Sequence, residues 1–351
     1  MEPRNRSRRT FVAGATALAT GLHASAASAP ARAAEKGGAT LNVIDFHSHY
    51  VGPIFTSIAG AGAPVVQKAY WQQVNRNLSD RQALLSSIDT AGIFARVVNT
   101  PLEFLQSADD DVPLDTVRRI NDQLAELIGK HPGRLHGLAT VDAYSGEAGA
   151  RELTRAVREL GLRGVFVASA KKDLFLDAPQ ARPTLAAAAA LGVPVFVHPI
   201  TDSQLRQRFA SYGRLGNTFN RGTINAAALI ALLEGGIFDE LPTLRIVVTT
   251  LAIGGILLAG GFGDGRRLRR DAPELSRRHV YVDTMGLHPV LIRSAVDLLG
   301  VDHVLAGTDW PIFEETSVPE RLQAALTSCG LDAAEQQLVA SGNALKLLGI
   351  S

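Results

Sequence analysis

From residue 41 onward the chain alternates two kinds of segment. Short apolar, β-branched runs fall at 41–47, 94–99, 134–140, 163–168, 193–198, 244–250, 279–283 and 303–307. Stretches rich in Ala and Leu lie between them, near 79–92, 114–130, 146–160, 180–191, 223–236, 252–261, 287–299 and 317–328, with a last one near 332–348. The first kind suits buried strands and the second suits helices. Boundary signals agree: Ser79-Asp80 offers a helix cap, Gly92 and Gly161 follow helix ends, and Gly192-Val193-Pro194 breaks another. Eight strands alternating with helices predict a single α/β domain over 40–351, a (β/α)₈ TIM barrel. A doubly wound open sheet is the other architecture this alternation allows. A barrel carries its chemistry at the C-terminal ends of its strands, which says where to look.

Residues 1–33 break the pattern and read as a leader, cleaved or disordered, outside the fold. Arg4, Arg6, Arg8 and Arg9 make a basic start, and Ser7-Arg8-Arg9-Thr10-Phe11-Val12 resembles a twin-arginine export signal. A mild apolar run follows, too short to span a membrane, and then A-x-A sites such as Ala24-Ser25-Ala26 and Ala31-Arg32-Ala33. Export by that route implies a periplasmic or extracellular protein with no stable span after processing. The leader's five arginines and one glutamate account for +4, so a chain that totals +1 falls to about −3 without it. The basic balance therefore belongs to the leader, and nothing points to nucleic acid. The single cysteine, Cys329, cannot form an internal disulfide.

Three strand ends carry candidate chemistry. The first closes with Asp45-Phe46-His47-Ser48-His49. Strict alternation along a strand places Asp45, His47 and His49 on one face, two imidazoles beside a carboxylate. The fifth run ends in His198, and the eighth in Gly307-Thr308-Asp309. Alone, such a His is more often structural and such an Asp more often a helix cap. At one barrel mouth, His47, His49, His198 and Asp309 form a divalent-metal site, with zinc the first choice and manganese the alternative. That ion would polarise a substrate oxygen. His131, His136, His279 and His303 lie at strand starts or inside strands and read as structural.

The chain resembles the amidohydrolase-related family typified by aminocarboxymuconate-semialdehyde decarboxylase. The residues that carry the resemblance are Val43–His49, Gly161–Val165, Pro194–Pro199, Gly236–Asp239, Pro242–Val247, Gly307–Pro311 and Gly342–Ala344. The resemblance runs over about 42–349. It implies a metal-dependent barrel, often a homodimer, acting on carboxylated rings or unsaturated acids, with His47, His49, His198 and Asp309 at the ligand positions. One position departs from the family. A His expected after the sixth strand is replaced by Thr250, which alternation places inward with Ile246 and Val248. A threonine hydroxyl orients water but does not exchange protons near neutral pH. Asp283, His288 and Asp309 are the candidates to supply the proton chemistry. For Asp283 and His288 the plainer reading is helix capping and helix initiation.

The expected substrate is a small carboxylate, for which Arg266 is the nearest arginine to the family's position and Trp310 a wall. Trp71 and Phe104 are further aromatic candidates. The cluster Arg266, Arg267, Arg269 and Arg270 also reads as a solvated face. The leading function is a metal-dependent decarboxylase, a carboxy-lyase acting on an aromatic or unsaturated acid. The alternatives are a metal-dependent hydrolase of an amide, ester or lactone, and a barrel that binds such a ligand without turnover.

Overall fold

The computed structural model describes residues 40–262, 271–313 and 315–350. Eight parallel strands make the barrel. They are β1 (Ile44–His49), β2 (Ala95–Asn99), β3 (Leu135–Gly137 and, in line, Ala139–Thr140), β4 (Val165–Ala168), β5 (Val195–His198), β6 (Ile246–Val248), β7 (Val280–Asp283) and β8 (Val304–Leu305). Pairing runs from β1 through β2 to the first piece of β3, and from its second piece through β4, β5, β6 and β7 to β8. Backbone bonds from Phe46 N to Ala306 O, Asp309 N to His47 O and His49 N to Trp310 O, each 2.8 Å, close the ring between β8 and β1. The open sheet is thereby excluded.

Each strand divides two cores. Ile44, Phe46, Ala95, Val97, Leu138, Phe166, Phe196, Val247 and Leu305 fill the barrel interior, with Ala344, Leu347 and Leu348 of the last helix packed into the same cluster. Their neighbours in sequence, such as Val43, Val98, Ala139, Val165, Val195, Ile246 and Val248, pack outward against the helices. Apolar demand on both faces explains why the strands read as unbroken apolar runs. The helices start and stop on the local chemistry of their ends. Asp80 caps Arg81–Ala91 by accepting from Gln82 N, Gly92 ends that helix in the left-handed region, and Asp332 with Glu335 forms a capping box.

Two register features differ from strict alternation. Asp45 pairs with Arg96 and Ser48 with Val98, so three steps on β1 oppose two on β2. This bulge lets Phe46 and His47 both face inward and leaves Asp45 outside. Asp45 therefore does not share the face of His47 and His49. On β6, Val247 pairs with the inward Phe196, which turns Ile246 and Val248 outward. Thr250 reaches the mouth by another route, the short 3₁₀ turn Thr250–Ala252 that follows the strand.

Candidate metal centre

The ligand set assembles from three strand ends. Nε2 of His47 lies 3.2 Å from Nε2 of His49, and Asp309 Oδ1 lies 3.4 and 3.1 Å from those two atoms. With His198 included, one ligand atom from each residue falls within 4.8 Å of every other. Atoms bound at about 2.1 Å to one ion sit roughly 3.0–3.4 Å apart for right-angled to tetrahedral directions. His47, His49 and Asp309 meet that spacing, and His198 lies close enough to complete a set that could hold one divalent ion.

His47 and His49 are each oriented by an acceptor at the other nitrogen, and a carboxylate oxygen lies near that of His198. His47 Nδ1 is 2.6 Å from Asp283 Oδ2, His49 Nδ1 is 2.7 Å from Asn99 Oδ1, and His198 Nδ1 is 3.3 Å from Glu103 Oε1. Such acceptors fix the ring and the tautomer that frees Nε2 for a metal. Burial, then the charge of Arg221 and the neighbouring imidazoles, holds His198 well below the ordinary imidazole value. Burial likewise lowers His49. Burial also opposes the charge on His47, but the charges of Asp309 and Asp283 outweigh it and raise that group.

Asp45 builds the frame behind the site. Its carboxylate accepts from Thr308 N at 2.9 Å, Thr308 Oγ1 at 2.7 Å, Ser48 Oγ at 2.8 Å and His47 N at 3.1 Å, and from the buried Arg96 guanidinium. Arg96 also lies 5.3 Å over the Trp310 ring. The Thr308 contact sets the turn that presents Asp309, which sits in the left-handed region at φ 65°. Aspartate tolerates that conformation better than most residues.

The other expected residues divide. Asp283 is buried at the mouth, where Oδ1 accepts from Thr250 N at 2.8 Å and Met285 N at 3.2 Å. It orients a ligand and does not stand free as a base. Thr250 lies beside it, and its hydroxyl has no protein partner among the described residues. His288 is exposed, precedes the helix Pro289–Leu299, and makes no contact with the ligand set. Trp310 is buried against Arg96 on the outer side of the strands, so it does not wall a substrate. Trp71 packs in a satellite cluster, whereas Phe104 stands edge-on to His49 with centroids 5.5 Å apart. Arg266 and its neighbouring arginines lie outside the described residues, as does the leader. His279 and His303 are structural, bonding the carbonyls of Leu244 and Val280.

Sequence reasoning missed Asn99, Glu103 and Arg221. Asn99 had a usable signal: it ends β2 directly beside His49 in the pairing register. Glu103 and Arg221 sit on a 3₁₀ turn and a long helix, where no periodicity marks them.

The comparisons with known proteins agree with this geometry. Residues 44–350 match the family model described as amidohydrolase. Gamma-resorcylate decarboxylase of Rhodococcus jostii is 31% identical over 304 residues, covering 76% of this chain and 88% of that protein. The 2-amino-3-carboxymuconate-6-semialdehyde decarboxylase of Dictyostelium discoideum is 25% identical over 295 residues, covering 82% and 81%. The crystal structure of 2,6-dihydroxybenzoate decarboxylase with 2,6-dihydroxybenzoate superposes with a TM-score of 0.77 at 22% identity, covering 88% of this chain and 100% of that one. The dihydroxybenzoic acid decarboxylase of Polaromonas sp. JS666, solved with manganese and 2-nitroresorcinol, gives 0.76 at 24%, covering 88% and 97%.

Proposed function

The chain belongs to the amidohydrolase family, and from that premise we propose that it removes carbon dioxide from a hydroxylated aromatic acid. The observation that carries the reading is the cluster of His47, His49, His198 and Asp309, with His47 and His49 each held at Nδ1 by its own acceptor. The named activity of the Rhodococcus jostii relative, on γ-resorcylate, supplies the substrate class; that of the Dictyostelium discoideum relative is on an open-chain unsaturated acid.

When bound, the ion supplies Lewis acidity that holds the substrate's oxygens and stabilises negative charge. Zinc suits three imidazoles and one carboxylate; manganese, held by a solved relative, is the alternative. The residues of the chain supply the rest. Phe104 and Phe166, each within 5.5 Å of a ligand imidazole by ring centroid, offer an apolar wall to an aromatic ring. When the ring–carboxylate bond breaks, its electron pair stays on the ring carbon and a proton must replace the lost group. Asp309 is the group we assign to that transfer. One of its oxygens faces the imidazoles, and the other has no protein partner among the described residues. Thr250 cannot take this part, and Asp283 is committed to His47.

The test is carbon dioxide release from 2,6-dihydroxybenzoate and 5-carboxyvanillate by protein reconstituted with Mn²⁺ or Zn²⁺. Release is expected to require metal and to vanish in His198→Ala. Acid production from a lactone or ester, with no carbon dioxide from any aromatic acid, would establish the hydrolase instead.

Two further points belong to this proposal. Leu215 and Phe219 on the helix Gly213–Glu234, and Leu257, Leu258 and Phe262 on Ile253–Phe262, are each about half exposed or more. So much apolar surface on two packed helices fits a homodimer face. The Arg8-Arg9 pair supports export through the twin-arginine route. No described helix is long and apolar enough to cross a membrane.

A further inference from the structure

Arg221 is a guanidinium one carboxylate removed from a metal ligand. Its Nη2 donates to Glu103 Oε1 at 3.0 Å, and the same oxygen lies 3.3 Å from His198 Nδ1. Its Nη1 reaches Thr201 Oγ1 at 3.4 Å, a long contact. The side chains of Glu103 and Arg221 keep 12% and 18% of their exposure, so both are largely enclosed yet open on one side. Phe104 follows Glu103 directly and stands against His49, and Phe166 tilts over His198 at 4.9 Å. An apolar aromatic wall, the ligand set and a guanidinium thus border one region between the ends of β2 and β5.

Charge decides what that region accepts. Asp283 is enclosed and bonded to His47, and a divalent ion at the cluster would offset Asp309, which leaves the Glu103–Arg221 pair as the charged groups beside it. Arg221 is the cation of that pair, and Glu103 fixes where it stands. Arginine carries five donors in a planar fork, and the contacts above use two of them. The remainder suit a second oxyanion, and the rigid fork fixes where it must lie.

We infer that Arg221 binds a second anionic oxygen group of the substrate, distinct from the carboxylate that is lost, and that Glu103 positions the guanidinium. The inference rests on the reading of the site as one for aromatic acids and narrows it to those with two acidic substituents. The opposing reading is a clamp that only ties the β2 turn to the helix Gly213–Glu234.

The experiment is equilibrium binding by calorimetry to Mn²⁺-reconstituted protein, with benzoate and isophthalate as probes. Neither probe needs to react. The parent is expected to prefer isophthalate by at least tenfold. Arg221→Met should erase that preference while leaving metal content and benzoate affinity within twofold of the parent. Arg221→Lys keeps the charge but not the fork and should retain only part of the preference, which serves if the Met variant does not fold. Glu103→Gln should weaken isophthalate more than benzoate. Equal weakening of both probes in the arginine variants, or no preference in the parent, would overturn the inference. Carbon dioxide release by the parent is scored separately. Turnover with an unchanged preference in Arg221→Met sinks this inference alone, and preference without turnover sinks only the decarboxylase reading.

Discussion

Asp283 Oδ2 meets His47 Nδ1 at 2.6 Å, and Gly307 gives them the room. A Cβ on Gly307 would stand 2.9 Å from Asp283 Cβ and 3.1 Å from His47 Cβ. A carboxylate at this position raises the basicity of its imidazole and holds the ring. Asp283→Asn is expected to weaken metal binding about ten- to a hundredfold. Gly307→Ala should weaken it in the same direction by prising the pair apart. Competition with a chromophoric chelator measures both, and unchanged affinity in both would show that the contact does not tune the site.

Asp45 and Arg96 are a fully enclosed ion pair, so removing one partner leaves the other charged in a dry setting. Asp45→Ala is expected to cost about 3–5 kcal/mol in denaturant unfolding. The double variant Asp45→Leu/Arg96→Met should be milder than Asp45→Ala, since no orphan charge remains. A double variant as unstable as the single one would count against the desolvation argument.

Thr250 and His288 test the assignment of roles at the mouth. The Thr250 hydroxyl has no protein partner among the described residues, so Thr250→Ala should lower kcat/KM by no more than about tenfold, the scale of one hydrogen bond. His288 is exposed and is not part of the ligand cluster, so His288→Gln should be silent. Asp309→Asn keeps the backbone turn but should cost at least a hundredfold or so, as expected for loss of a proton-transfer group. Metal content is measured in each, and a severe loss in Thr250→Ala or His288→Gln with metal retained would reverse the assignment.

Glu152 supplies a pH-dependent part of the stability. Burial alone would raise its pKa, but bonds from Arg155 and Asn121, with the charges of Arg155 and Arg118, outweigh burial and lower it. Its folded-state value therefore lies below the unfolded one. The stabilisation is fully present above the ordinary glutamate value of 4.5 and is lost as pH falls through the lower, folded value. Glu152→Gln should destabilise the protein near pH 7 and flatten the acid limb of its stability curve. Parallel acid limbs for parent and variant would refute this.

The barrel and its ligands were legible because both follow short-range rules. Apolar runs alternate with helical ones, and His47, His49, His198 and Asp309 close runs that end at one rim. What escaped depends on register and on distant neighbours. The bulge at Phe46 and His47 is invisible to a period-two count, and it moved Asp45 from the metal face to the pair with Arg96. Val247 faces inward because it pairs with Phe196, a fact the sixth run alone does not contain. Trp310 looked like a substrate wall from its place beside Asp309, but the backbone turn at Asp309 sends it toward Arg96. Glu103 and Arg221 come together across 118 positions of sequence, where no local pattern joins them.

The seam between β8 and β1 ties the first and last strands of the barrel together through the residues that present the ligands: Thr308 to Asp45, Asp309 to His47, Trp310 to His49. Two ligands are made early in synthesis and the last only after Asp309 has left the ribosome. For most of its time as a nascent chain the polypeptide holds two or three ligands on an unclosed sheet. The complete cluster and the closed ring therefore need the same last segment, and neither exists on the first strands alone. A chain truncated before residue 307 would carry three of the four ligands and lack both the closure and the site.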